Sequence, residues 1–286
     1  MMSLLANAEA FLLNNGRLLE RKRFSYLFKN GSRDAVLTAL KAYQNADGGF
    51  GNALEPDKRT ASSQPIDQEM ALRILDEIGL NGQVVKDICD FLQTITTPEG
   101  GVPFVLPTVS DAPRAPWWNP ESDVPPAALN PTASIAGLLH KHKVAHPWLN
   151  KATSFCWQKL EAEQNFSEHD FICILLFLEH VPERERAGKL FKQISDKIIQ
   201  NTALDPEAEG YVQSPLIYAP RPNCWARSLY QNEDIDAHLD ALSQKQQEDG
   251  GWAISWPAVS PGSELEYRGV VTLQALTTLK AYGRLA

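Results

Sequence analysis

Three times in this chain a helix-patterned run ends in a polar turn that carries two adjacent glycines. The turns read Tyr43-Gln44-Asn45-Ala46-Asp47-Gly48-Gly49-Phe50-Gly51, Gln93-Thr94-Ile95-Thr96-Thr97-Pro98-Glu99-Gly100-Gly101-Val102-Pro103-Phe104, and Gln246-Gln247-Glu248-Asp249-Gly250-Gly251-Trp252. Gly49 and Gly101 are 101 − 49 = 52 residues apart, and Gly101 and Gly251 are 251 − 101 = 150 apart, close to three further periods. A turn recurring at a fixed interval marks a repeat architecture, in which each unit buries its apolar face only by stacking on the next. The spacing predicts an array of helical hairpins.

The hydrophobic pattern agrees. Ala35, Val36, Ala39, Leu40 and Tyr43 follow helical spacing before the first turn, which releases the chain into Ser62 to Ile78. Further hairpins read as Val84 to Ile95 followed by a helix from Asn130-Pro131-Thr132, then Trp148 to Glu163 with Glu168 to Glu179. Glu183 to Gln200 precedes a short helix near Cys224 to Leu229, and Ile235 to Gln247 precedes Glu264 to Tyr282. With Leu4 to Leu13 and Arg17 to Phe28, the count reaches about twelve helices, and no sustained run alternates with period two. An all-α chain follows.

The inner segments Ala71 to Leu75, Ile135 to Leu139 and Ile172 to Phe177 are apolar nearly all round, as helices packed on both flanks are. That favours closure of five or six hairpins into one (α/α) toroid over residues 1–286, with a pocket at one end. A proline-rich insertion at about 102–129, containing Trp117-Trp118, is long for a connection in a compact domain and reads as a lid or binding loop.

A formal net charge of −8 argues against nucleic acid and against an anionic membrane surface. No basic leader precedes the apolar residues of Met1 to Phe11, and no span long enough for a bilayer follows, so a cytoplasmic protein is expected. Cys89, Cys156, Cys173 and Cys224 show no Cys-x-x-Cys spacing and read as reduced core thiols. His140, His142 and His146 lie at the end of a predicted inner helix, where the dipole favours histidine, so no metal site is expected.

Gln44 with Asp47-Gly48-Gly49-Phe50, Gln93 with Glu99-Gly100-Gly101, and Gln246 with Asp249-Gly250-Gly251-Trp252 resemble the Gln-Trp-type repeats of the squalene cyclase and protein prenyltransferase toroid superfamily. The resemblance implies a toroid in which the glutamine caps a helix end and the aromatic packs beneath it. The superfamily's chemical signatures are missing: there is no Asp-x-Asp-Asp acid, Asp234-Ile235-Asp236-Ala237 lacking the last carboxylate, and Asp170 and Cys173 have the wrong spacing for a zinc pair. A fold does not carry an activity with it.

In such a ring the inner-helix N-termini and preceding loops surround one mouth of the cavity, and polar residues there face a ligand. Glu55, Asp57, Arg59, Gln64 and Asp67 come from the first hairpin, Asn130 and Thr132 from the second, His169 and Asp170 from the third. Arg221, Asn223 and Trp225, then Glu264, Glu266, Tyr267 and Arg268, complete the rim. Asp170, His169, Glu266 and Asp67 are the acid–base candidates. Glu55, Asp57, Gln64, Trp117, Trp118, Asn130, Thr132, Trp225, Tyr267 and Arg268 are the ligand-binding candidates, with no cofactor implied. The leading expectation is a small-molecule, isoprenoid-type ligand in the central cavity. A carbohydrate-active toroid using paired carboxylates, or a non-catalytic scaffold, is the alternative.

Overall fold

The computed structural model describes residues 3–163 and 165–285, and among them the chain is helical with no strand, only three isolated bridges. Among the described residues twelve α-helices follow one another: α1 (Leu4–Asn15), α2 (Leu18–Lys29), α3 (Arg33–Lys41), α4 (Pro65–Ile78), α5 (Gly82–Thr94), α6 (Leu129–Lys141), α7 (Pro147–Ala162), α8 (Glu168–His180), α9 (Arg184–Gln200), α10 (Pro215–Tyr218), α11 (Asn232–Gln244) and α12 (Pro261–Ala281). The chain divides into two compact units, Leu40–Ile194 and the pair of segments Met1–Ala39 with Ser195–Ala286. No helix among the described residues is long and apolar enough to cross a membrane.

Within Leu40–Ile194, α6 packs between α4 and α8, and α5 and α7 lie behind them. The sequence dictates these layers. On α5 the residues Val84, Val85, Ile88, Cys89, Phe91 and Leu92 are buried, a one-sided stripe, whereas every residue of α6 from Pro131 to Leu139 is buried. Each large aliphatic or aromatic side chain so removed from water contributes about 1.5–3 kcal/mol. Gly137 lets α6 meet α8 closely, since a Cβ there would lie 2.6 Å from the Leu176 carbonyl oxygen.

The double-glycine turns share one construction. The first glycine of each is left-handed, with φ of 84° at Gly48, 99° at Gly100 and 92° at Gly250, which an L side chain rarely adopts. The second carries no side chain because a neighbouring helix occupies that space: Gly49 meets Phe91 of α5, Gly101 meets Phe155 of α7, and Gly251 meets Phe11 of α1. The residue after the glycines donates its N–H to a side chain of the next α-helix, Phe50 to Gln68, Val102 to Thr132 and Trp252 to Thr272.

Gln44 and Gln246 each donate to the carbonyl of the first glycine, at 3.1 and 2.9 Å, and reach across to the neighbouring helix at Asp87 and Leu4. In the second turn that position, four before the first glycine, is held by Thr96, which accepts from Trp148 Nε1 at 2.9 Å. Gln93 therefore does not fill the repeat's glutamine place. It lies three residues earlier, on α5.

Candidate functional site

The longest buried polar run lies between the first double-glycine turn and α4. Asn52 and Ala53 are both left-handed, at φ of 54° and 58°, and the backbone turns there so that the residues after Leu54 fold back over the start of α4. Glu55, Asp57, Lys58, Gln64 and Asp67 are all at most 2 % exposed. Four charged side chains in one dry turn are costly unless they satisfy one another.

Most of them do. Lys58 Nζ pairs with Asp67 Oδ2, and Asp67 Oδ1 accepts the backbone N–H of Glu55 at 2.9 Å. Glu55 Oε2 accepts the N–H of Asp57 at 2.9 Å. Gln64, at the N-cap of α4, donates to Thr108 Oγ1 and accepts from the N–H of Leu106, both at 2.8 Å. One of the exceptions is Glu55 Oε1, which is buried and has no hydrogen-bond partner among the described residues. Burial pushes the Glu55 carboxyl up from its ordinary 4.5 to about 8; Lys58 pulls it down, and Asp57 and Asp67 push it further up. Glu55 is therefore a neutral acid at neutral pH, a group that can donate a proton or a hydrogen bond.

The proline-rich insertion covers this turn. Its neck is closed by a bridge between Pro103 and Ala127. Its body is fastened to the acidic run: Ala115 N–H donates to the Asp57 carbonyl at 2.8 Å, Arg59 N–H to the Pro113 carbonyl at 2.9 Å, and Thr60 Oγ1 to the Thr108 carbonyl at 3.1 Å. The two tryptophans face opposite ways. Trp118 is 6 % exposed and stacks on Phe104 at 4.9 Å, and its indole N–H has no partner among the described residues, while Trp117 is 43 % exposed.

Other rim candidates hold the repeat together. Thr132 clamps the second turn, with its hydroxyl on both the N–H and the carbonyl of Val102. Arg268 donates to Asp249 at 2.7 Å and to the Trp252 carbonyl at 3.2 Å, and lies 4.6 Å over the ring of Phe11, so it braces the third turn. Asp170 is engaged in a capping box with Ser167, and His169 beside it is exposed. Asn130 is a half-buried, non-helical residue ahead of a cis bond to Pro131. Glu266, Tyr267 and Trp225 belong to the other unit and are half-buried, with Tyr267 edge-on to Trp256 at 4.8 Å.

Glu55, Asp57, Gln64 and Asp67 are thus the expected residues that meet in one place. Lys58 was not among them, because a lysine in a charged run reads as solvated. Its clue is local, since Glu55-Pro56-Asp57-Lys58 leaves two acids needing a cation once the turn is buried. The pair Glu69 and Arg73 on α4 also escaped the pattern, hidden among the aliphatic residues that surround it.

His140, His142 and His146 go to three separate partners, Thr153, Asp76 and Asp90. Among the described residues no group of three or more His, Cys, Asp and Glu side chains is placed to hold a metal ion. The four cysteines are buried and free, and burial pushes the Cys89 thiol up to about 12, so it is no nucleophile. No protein-family model matches the chain, and no curated protein matches it.

Proposed function

We propose that the chain is a six-hairpin (α/α) toroid, similar in plan to terpene cyclases and prenyltransferases, that binds a small molecule in its cavity and presents the Glu55 carboxyl to it as a proton donor. Two features support the toroid. The last double-glycine turn rests on α1, as the first two rest on α5 and α7, so the end of the repeat meets its beginning. The inner helices also keep a narrow half-exposed stripe between buried flanks, Met70, Arg73 and Glu77 on α4, and Ile172, Leu176 and Glu179 on α8. A helix surrounded on its other sides and facing a lumen has that profile.

The observation that carries the functional reading is the unpartnered Oε1 of Glu55. A buried carboxyl oxygen without a partner costs about 1–3 kcal/mol, and a ligand hydroxyl, ether or leaving-group oxygen would recover it. A neutral carboxyl beside ionisable Asp57 and Asp67 suits acid-assisted cleavage of a C–O bond, in an isoprenoid or in a glycoside. Access requires the insertion over residues 55–64 to lift.

A scaffold reading rests on the burial of Asp57, Lys58 and Asp67, at 1 %, 0 % and 0 % exposure. Native mass spectrometry of the purified protein separates the two. Under the ligand reading a small molecule is retained by the wild type and by Glu55→Gln, whose amide still donates, and lost from Glu55→Ala. Equal occupancy in all three, or none in any, leaves the scaffold.

A further inference from the structure

Arg73 lies on the half-exposed stripe of α4, between buried Leu72 and Ile74. Its environment has two sides. Burial weighs against its charge, and Glu69, Cys173 and Asp76 together more than offset this. Yet 41 % of the side chain is bare. The guanidinium is thus engaged with protein on one side while the rest of the side chain stays open.

The guanidinium is held in one orientation. Nε and Nη2 reach Glu69 Oε1 at 2.8 and 2.7 Å, and Nη2 also donates to Ser134 Oγ of α6 at 3.0 Å. Ser134 Oγ in turn donates to Glu69 Oε1 at 2.6 Å, which closes a three-membered polar ring between two helices. Glu69 and Ser134 are 7 % and 0 % exposed, so this ring is built into the packed face and not draped over it. Nη1, with two N–H donors, has no partner among the described residues. A lone structural ion pair needs neither the serine tether nor an open edge. An arginine prepared for a ligand needs both, because orientation fixed in advance lowers the entropy lost on binding.

We infer that the Nη1 edge of Arg73 binds an oxyanion, a carboxylate or phosphate oxygen, at the half-exposed stripe of α4. Guanidinium suits such groups because its charge persists at any working pH and its N–H groups fork in a plane. The nearby titratable groups do not compete: Glu69 is taken up by the ring, Asp76 is paired with Lys141 and His142, and the Cys173 thiol is kept neutral by burial. The inference uses none of the residues of the Glu55 turn and stands whether or not that turn binds a ligand.

The test uses the full chain and two simple anions. Thermal unfolding and calorimetry are followed during titration with inorganic phosphate and, separately, with acetate, with ionic strength held constant by chloride. For the wild type the unfolding midpoint rises with at least one of them. A rise with phosphate alone assigns a phosphate-bearing ligand, and a rise with acetate alone a carboxylate.

Arg73→Gln abolishes the rise, and Arg73→Lys, which keeps the charge without the fork, reduces it. Ser134→Ala frees the tether and weakens binding without removing it, which provides a reading if Arg73→Gln does not fold. Arg186→Gln, on an arginine engaged with Glu161 and Trp157, leaves the rise intact. The same rise in Arg73→Lys and wild type, or no rise with either anion, overturns the inference.

Discussion

At the scale of single residues, the behaviour of Glu55 is set by where its proton goes. Its folded-state value, about 8, lies above the 4.5 of the unfolded chain, so between those pH values the folded protein holds a proton that the unfolded chain has released. Stability from this group is complete below about pH 4.5 and is lost as pH rises towards 8, by up to about 1.4 kcal/mol per unit. Denaturant unfolding at pH 5 and pH 8 should show Glu55→Gln gaining on the wild type at the higher pH, and an unchanged difference would mean the carboxyl is not held neutral. The residues after the first turn could be singled out from sequence because acids and amides crowd there. That Glu55 keeps one carboxyl oxygen unsatisfied could not, since Asp67 is claimed by Lys58 only after the turn folds back.

At the scale of elements, the helices were legible wherever a one-sided stripe or a cap marks them, as on α5 with its Asn81 cap and α8 with its Ser167–Asp170 box. The four-residue α10 was not, because one helical turn is too short to show a period. Helix α4 gave up its length but not its polar contents: Glu69 and Arg73 become compatible with a packed face only when Ser134 arrives from α6. Contact between α6 and α8 yields a prediction opposite to helix propensity. Gly→Ala inside a helix ordinarily gains about 1 kcal/mol. At Gly137 the new Cβ would lie 2.6 Å from a backbone oxygen of α8. Gly137→Ala should instead cost about 1–3 kcal/mol by overpacking, read from the unfolding midpoint.

At the scale of the whole molecule, three phenylalanines do the same work at three joints. Phe11, Phe91 and Phe155 are at most 5 % exposed, and each fills the space that the second glycine of a turn leaves open. Replacing any one with alanine should cost about 3–5 kcal/mol in denaturant unfolding. A marked inequality among the three would mean the repeat is one of appearance only. The same joints limit how such a chain can change length. One residue inserted into α5 ahead of Phe91 would swing that ring about 100° around the helix, away from Gly49, and leave the two flanking hairpins without their common contact. Additions to the loops, such as the insertion between Val102 and Ala128, leave every joint in register. Growth by loops and not by helices is the freedom that the paired glycines leave.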